Sequence, residues 1–158
     1  MAALAEALTC AGLRQVRTYI QSGNILFETP LPEAEAAGLI RRVIREQTGA
    51  ELSVILKTAE QLSAAARGNP FTKGFDPTRV HLVFTNDPME SRKVENLQRE
   101  TFDGEAFAAG EFCLYLYLPR NAAKKRLNTN YLEKRLGVTA TMRKLSVVMR
   151  LAEMGGQT

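Results

Sequence analysis

Hydrophobic and polar residues alternate most informatively between residues 14 and 28. Val16, Thr18 and Ile20 interleave with Arg17, Tyr19 and Gln21. After Ser22-Gly23, Ile25 and Phe27 interleave with Asn24, Leu26 and Glu28. A period of two bracketed by a turn dipeptide is the pattern of a β-hairpin. With Ser22-Gly23 as a two-residue loop, Gln21 would pair with Asn24, Tyr19 with Leu26 and Arg17 with Glu28. Directly opposed residues share a face, so Arg17, Tyr19, Gln21, Asn24 and Glu28 line a polar side. Val16, Thr18, Ile20, Ile25 and Phe27 line the side that seeks a core.

The rest of the chain alternates between helical and strand spacing. Leu4 and Leu8 on an alanine-rich background predict a helix over residues 2 to 11, ended by Gly12. Ala36, Leu39, Ile40, Val43 and Ile44 stripe a second helix that stops at Gly49. Leu52 to Lys57 reads as a strand, and Thr58 with Gln61 reads as a capping box for a helix to about Arg67. Val80 to Phe84 is a strand and residues 89 to 100 a polar helix. Residues 111 to 119 form the clearest alternation in the chain, a strand with Leu114, Leu116 and Leu118 on one face. Residues 128 to 136 make a helix ended by Gly137, and Leu145, Val148, Met149 and Ala152 stripe a last one. This order predicts an α+β fold with small antiparallel sheets, divided into residues 1–58 and 59–158. The polar hairpin face would be left for solvent or a partner.

Composition narrows the class without naming a chemistry. The 158 residues are 45% hydrophobic and 24% charged, the balance of an ordinary globular protein. No apolar run reaches the roughly 20 residues of a membrane span, so no membrane partner is expected. Cys10 and Cys113 read as small buried hydrophobes, and the cytoplasm is the default compartment. The net charge of +4 is unevenly spread: residues 119–150 hold nine Lys or Arg against Glu133 alone.

Candidate sites follow from these patterns. The hairpin offers Arg17, Tyr19, Gln21, Ser22 and Asn24 to a small molecule or protein. The basic segment offers Arg120, Lys124, Lys125, Arg126 and Lys144 to phosphate groups, so a nucleic-acid binder is the alternative. Tyr131 is the only aromatic of that segment, which provides poorly for base stacking. His81 is the one histidine, no metal-ligand cluster is visible, and no phosphate loop occurs. No cofactor is expected. A third alternative, a small-molecule enzyme using Tyr19, Arg17 and Asn24, needs a tyrosine pKa well below about 10.

Arg17-Thr-Tyr-Ile-Gln-Ser-Gly-Asn24, followed by Ile25-Leu-Phe27, closely resembles the hallmark of DUF1697, a bacterial family of uncharacterised proteins. Asn69-Pro70-Phe71, Leu116-Tyr117-Leu118-Pro119 and the segment from Gly137 to Glu153 are similar to other family stretches in the same order. The resemblance implies a pair of ferredoxin-like subdomains and no established activity. It also adds Arg143 to the ligand candidates. That residue matches the Arg of the family's C-terminal Thr-Arg-Asn-Trp, whereas Lys144 and Leu145 stand at its Asn and Trp positions. Family members open with a strand and an Arg-Gly-Ile-Asn-Val-Gly-Gly loop not found here. The first sheet is therefore expected to lack its first strand, as in an N-terminally shortened version. Asn24–Glu28 and Leu52–Lys57 would then show unpaired edges open to self-association.

Overall fold

The computed structural model describes residues 2–19, 23–111, 113–121 and 126–155. These fall into two compact units. The first takes in the chain up to Leu56 together with Met154 and Gly155; the second runs from Lys57 to Glu153.

The first unit is built from α1 (Ala2–Cys10), β1 (Arg14–Tyr19), β2 (Asn24–Glu28) and α2 (Glu33–Thr48). Both helices cover one face of a two-stranded antiparallel sheet. Leu8, Leu13, Ile40, Val43 and Ile44 are its buried centre, with Val16, Ile25 and Phe27 packed against them. The stripe on α2 thus reaches the core as its spacing demands. Gly49 ends the helix at a φ of 75°, where a side chain would be strained, and its N–H donates to the Arg45 carbonyl.

The expected strand at Leu52–Lys57 does not form. Val54 and Leu56 pack on the same cluster, yet residues 51–58 carry no strand pairing. A strand exists only through its neighbour's backbone, and no ladder partner lies beside this segment among the described residues.

In the second unit, α3 (Ala59–Arg67) starts with the expected capping box. The Thr58 hydroxyl accepts from Gln61 N at 3.1 Å, and the Gln61 side chain accepts from Thr58 N at 2.8 Å. There follow β3 (Val80–Thr85), α4 (Ser91–Arg99), β4 (Ala106–Ala109), β5 (Leu114–Tyr117), α5 (Thr129–Leu136), β6 (Ala140–Lys144) and α6 (Leu145–Gly155), whose last two residues, Met154 and Gly155, are counted with the first unit. The sheet order is β4-β5-β3-β6, all pairs antiparallel, so the first strand of this βαββαβ unit lies between the third and the fourth. That is the ferredoxin-like arrangement. Val83, Leu114, Leu116 and Ala140 face Leu97 of α4 and Leu132 and Leu136 of α5. On the opposite face Val80, Leu82 and Phe84 are buried as well.

Two strands escape the sequence pattern. Ala106-Phe-Ala-Ala109 has almost no β-branched or alternating character, and Ala140–Lys144 runs into α6 without a break. Both exist because β5 and β3 offer them edges. The alternation over 111–119 yields a shorter strand, because Gly110 N bonds the Cys113 carbonyl at 2.9 Å to make the preceding turn. Cys113 therefore sits just before β5, and Phe112 lies outside the described residues.

Candidate functional site

The hairpin pairs Tyr19 with Asn24, Thr18 with Ile25 and Arg17 with Leu26. This register differs by two from the expected one, and a slip of two preserves faces where a slip of one would reverse them. Arg17, Tyr19, Asn24 and Leu26 therefore still share a side. Beyond Arg17 a bulge adds a residue, with Gln15 in the left-handed region at φ 47°, so Arg14 stands opposite Glu28. The expected Arg17–Glu28 cross-strand pair is thereby lost. Gln21 and Ser22 lie outside the described residues, as does Ile20.

The polar side is not an open row of donors. Asn24 is 7% exposed, and its Nδ2 donates to the Tyr19 carbonyl at 3.2 Å, closing the hairpin. Arg17 is half-buried, and its Nη2 donates to the carbonyl of Met154, in the last turn of α6, at 2.8 Å. Carbonyls at a helix C-terminus carry partial negative charge, so a guanidinium suits them. Its Nε is enclosed and bonds nothing among the described residues. No carboxylate there comes within ion-pair distance of Arg17, whereas Arg42, Arg45, Arg126, Arg135 and Arg150 each have one. Tyr19 beside it is half-buried.

The basic segment is partly spent on internal contacts. Arg135 Nη1 lies 2.6 Å from Glu100 Oε1, and Arg126 Nη2 lies 3.5 Å from Glu100 Oε2. Tyr131 donates its hydroxyl to the same carboxylate at 2.9 Å, and Arg126 stacks 4.9 Å from the Phe102 ring centre. The hydrogen bonds from Tyr131 and Arg135, then the two guanidinium charges, hold the Glu100 carboxyl below its ordinary range. Arg143, opposite Leu82 in the sheet, donates to Thr141 Oγ1 at 2.7 Å and to the Met142 carbonyl at 3.0 Å. Burial pushes its pKa down. Arg120, Lys134 and Lys144 are exposed and make no ion pair among the described residues. Lys124 and Lys125 lie outside those residues. Arg143 and the basic residues belong to the second unit, the hairpin to the first.

A groove of about 580 Å³ in the second unit went unanticipated. It runs along Asn86, Asp87 and Ser91 at the start of α4, the β4–β5 turn at Gly110 and Glu111, Glu95 and Lys57. Its charges come from segments far apart in the chain, so no local motif announces it. Pro88, Met89, Val94, Ala109 and Leu114 complete a lining that is part polar and part apolar.

Two side chains of reactive type, Cys113 and His81, lie in the second unit. Burial pushes the Cys113 thiol up to about 11, which keeps it protonated and poorly nucleophilic near neutrality. His81 is half-buried, and burial first, then Arg79 and Lys144, lowers its pKa. Among the described residues, no three His, Cys, Asp or Glu side chains gather as a metal site, and no helix is long and apolar enough to cross a membrane.

The fold is shared with a conserved bacterial protein, SP0830 from Streptococcus pneumoniae, at a TM-score of 0.77 and 18% sequence identity. The match covers 99% of this chain and 89% of that one. No curated protein matches. The family described as "Protein of unknown function (DUF1697)" matches residues 1–115, which include the whole hairpin motif. The chain belongs to the DUF1697 family.

Proposed function

We propose that this protein is a cytoplasmic binding module that takes an anionic small molecule on the hairpin face, through Arg17 with Tyr19 beside it. The observation that carries this reading is the state of Arg17. Its guanidinium is half-buried, holds a neutral carbonyl, keeps one enclosed N–H unbonded and has no counter-charge among the described residues. A partly desolvated charge without a partner is unfavourable, and a carboxylate or phosphate would offset it with charge-assisted hydrogen bonds. The Met154 carbonyl would hold the side chain in place for that contact. Two free thiols, Cys10 exposed and Cys113 buried, support a reducing compartment.

Thermal-shift measurements with inorganic phosphate and a panel of carboxylates test it. At least one anion is expected to raise the melting temperature of the wild type. Tyr19→Phe should weaken that shift, and Arg17→Lys should remove most of it, because an ammonium cannot reproduce bidentate geometry. If no anion shifts the wild type, or Arg17→Lys responds as strongly, the reading fails. The alternative, phosphate-backbone binding through Arg120, Lys134 and Lys144, predicts retention of generic RNA on a filter at low salt and steep loss as salt rises.

A further inference from the structure

Folding brings to the basic segment the aromatic rings that its sequence lacks. Residues 119–150 hold Tyr131 alone, but Arg120 follows the end of β5, where Tyr117 packs against two rings of the loop after α3. Phe75 meets Tyr117 edge to face at 4.8 Å between ring centres and Phe71 edge to face at 5.1 Å. Phe71 is buried and anchors the group, whereas Phe75 keeps 36% of its surface exposed. A ring held at the surface by two others offers apolar area that needs no further ordering.

The loop that carries Phe75 is fixed by its own bonds. Asn69 Oδ1 accepts from Phe71 N at 3.0 Å, and Asn69 Nδ2 donates to the Phe71 carbonyl at 3.2 Å. Phe75 N donates to the Thr72 carbonyl at 3.3 Å, closing a turn with Gly74 at φ 87°. Asp76 N then donates to the Tyr117 hydroxyl at 3.2 Å, which ties the loop to β5.

Cations converge on the same end of the sheet. Val80 opens β3 opposite Tyr117, the last residue of β5, and His81 stands opposite Lys144, the last residue of β6. Arg79, Arg120 and Lys144 therefore lie where the loop bearing Lys73 and Phe75 meets the sheet. Arg79 is held there, its Nε donating to the Leu118 carbonyl at 2.8 Å. None of these four cations makes an ion pair among the described residues. The loop's one acid, Asp76, is turned onto its own backbone: its Oδ1 accepts from Thr78 N at 3.0 Å and from Thr78 Oγ1 at 2.7 Å.

We infer that this end of the second unit binds single-stranded nucleic acid, with a base stacked on Phe75 beside Tyr117 and phosphates held by Lys73, Arg79, Arg120 and Lys144. An exposed ring among unpaired cations matches a base flanked by phosphates. Four cations exceed what one phosphate needs, so a strand fits better than a mononucleotide. A duplex hides its base faces, so stacking selects the unpaired form. The inference deepens the backbone-binding alternative above, adding a stacking requirement to it, and is independent of the Arg17 reading.

The probe is a labelled oligouridine of about eight nucleotides, followed by fluorescence anisotropy at low salt. Phe75→Leu should weaken binding by about tenfold or more, and Phe75→Trp should preserve it. Arg120→Gln should weaken it and lower the salt slope by about 0.7, the value for one phosphate contact to a single strand. Lys134→Gln, on α5, should bind as the wild type does. Ultraviolet crosslinking of the wild type, which needs no variant to fold, should mark the peptide containing Phe75 or Tyr117. Equal binding by Phe75→Leu, or crosslinks elsewhere only, overturns the stacking site and leaves the backbone alternative standing. Duplex RNA bound as tightly as the single strand overturns it too, as does uridine monophosphate competing equally well per nucleotide. No binding at low salt removes both this inference and the backbone alternative, and leaves the Arg17 reading untouched.

Discussion

Arg17 Nη2 donates to the Met154 carbonyl at 2.8 Å, joining residues 137 apart in sequence. The hairpin's most suggestive ligand candidate therefore also carries a structural bond, and its substitution cannot be silent. Arg17→Ala removes a hydrogen bond from a charged donor, a loss of about 1–3 kcal/mol. Arg17→Lys keeps a donor within reach of the same carbonyl and should cost less. Urea denaturation of both variants checks the order. An Arg17→Ala midpoint equal to the wild type would show that the bond contributes nothing.

Glu100 gives stability a pH dependence with a definite sign. Its folded-state pKa lies below the ordinary carboxylate value, first through the Tyr131 and Arg135 hydrogen bonds and then through the charges of Arg135 and Arg126. A lowered folded-state pKa means that the unfolded chain takes up the proton first as acid is added. The stabilisation is therefore complete above the unfolded value of about 4.3 and disappears as pH falls through the folded one. Glu100→Gln should be less stable than the wild type at pH 7, with the difference shrinking below about pH 4. Denaturation at a series of pH values from neutral to acid checks it; a constant difference would assign the effect to packing.

Gly110 and Tyr115 are coupled through space. A Cβ at Gly110 would clash with Tyr115 Cε2, and the ring is held in place because its hydroxyl donates to the Ala65 carbonyl at 2.7 Å. Gly110→Ala should cost about 1–3 kcal/mol, the range for overpacking. Tyr115→Leu loses the hydrogen bond and ring contacts but frees the space. The double variant should then be more stable than the sum of the two losses allows, by about 1 kcal/mol. Strict additivity in a double-mutant cycle would show that the clash is relieved elsewhere.

The legible parts of this fold were those where local periodicity and tertiary demand coincide. The α2 stripe, the Thr58–Gln61 box and the Gly49 and Gly137 stops are local features, and each appears where its residues put it. The faces of the hairpin survived a wrong register because the error was even. The bulge at Gln15 left no sign, since nothing about glutamine announces a positive φ. β4 and β6 depend on edges supplied by distant strands, and Ala106–Ala109 has no pattern of its own. The strand expected at Leu52–Lys57 did not form, and alternation alone cannot report whether a neighbour is present. The candidate site was half legible for a related reason. Spacing places Arg17 and Tyr19 on one face, but the Met154 contact lies far beyond any local window.

Glu105 illustrates an internal anchor that composition hides. It is only 7% exposed, and its Oε1 accepts from Arg126 N at 2.7 Å and from Leu127 N at 3.0 Å. A buried carboxylate persists because those two peptide N–H groups satisfy it, and they in turn have no helix or strand to bond them. Glu105→Ala leaves both donors without an acceptor at a cost of about 2–4 kcal/mol, the sum for two partly buried groups. Glu105→Gln keeps an acceptor oxygen but loses the charge, and charge-assisted bonds are roughly twice as strong as neutral ones. It should therefore fall between the wild type and Glu105→Ala. Amide exchange at Arg126 and Leu127 reads the same effect locally: fastest in Glu105→Ala, intermediate in Glu105→Gln. Unchanged exchange at Leu127 in the alanine variant would mean that another acceptor takes over, and the anchor role would be lost.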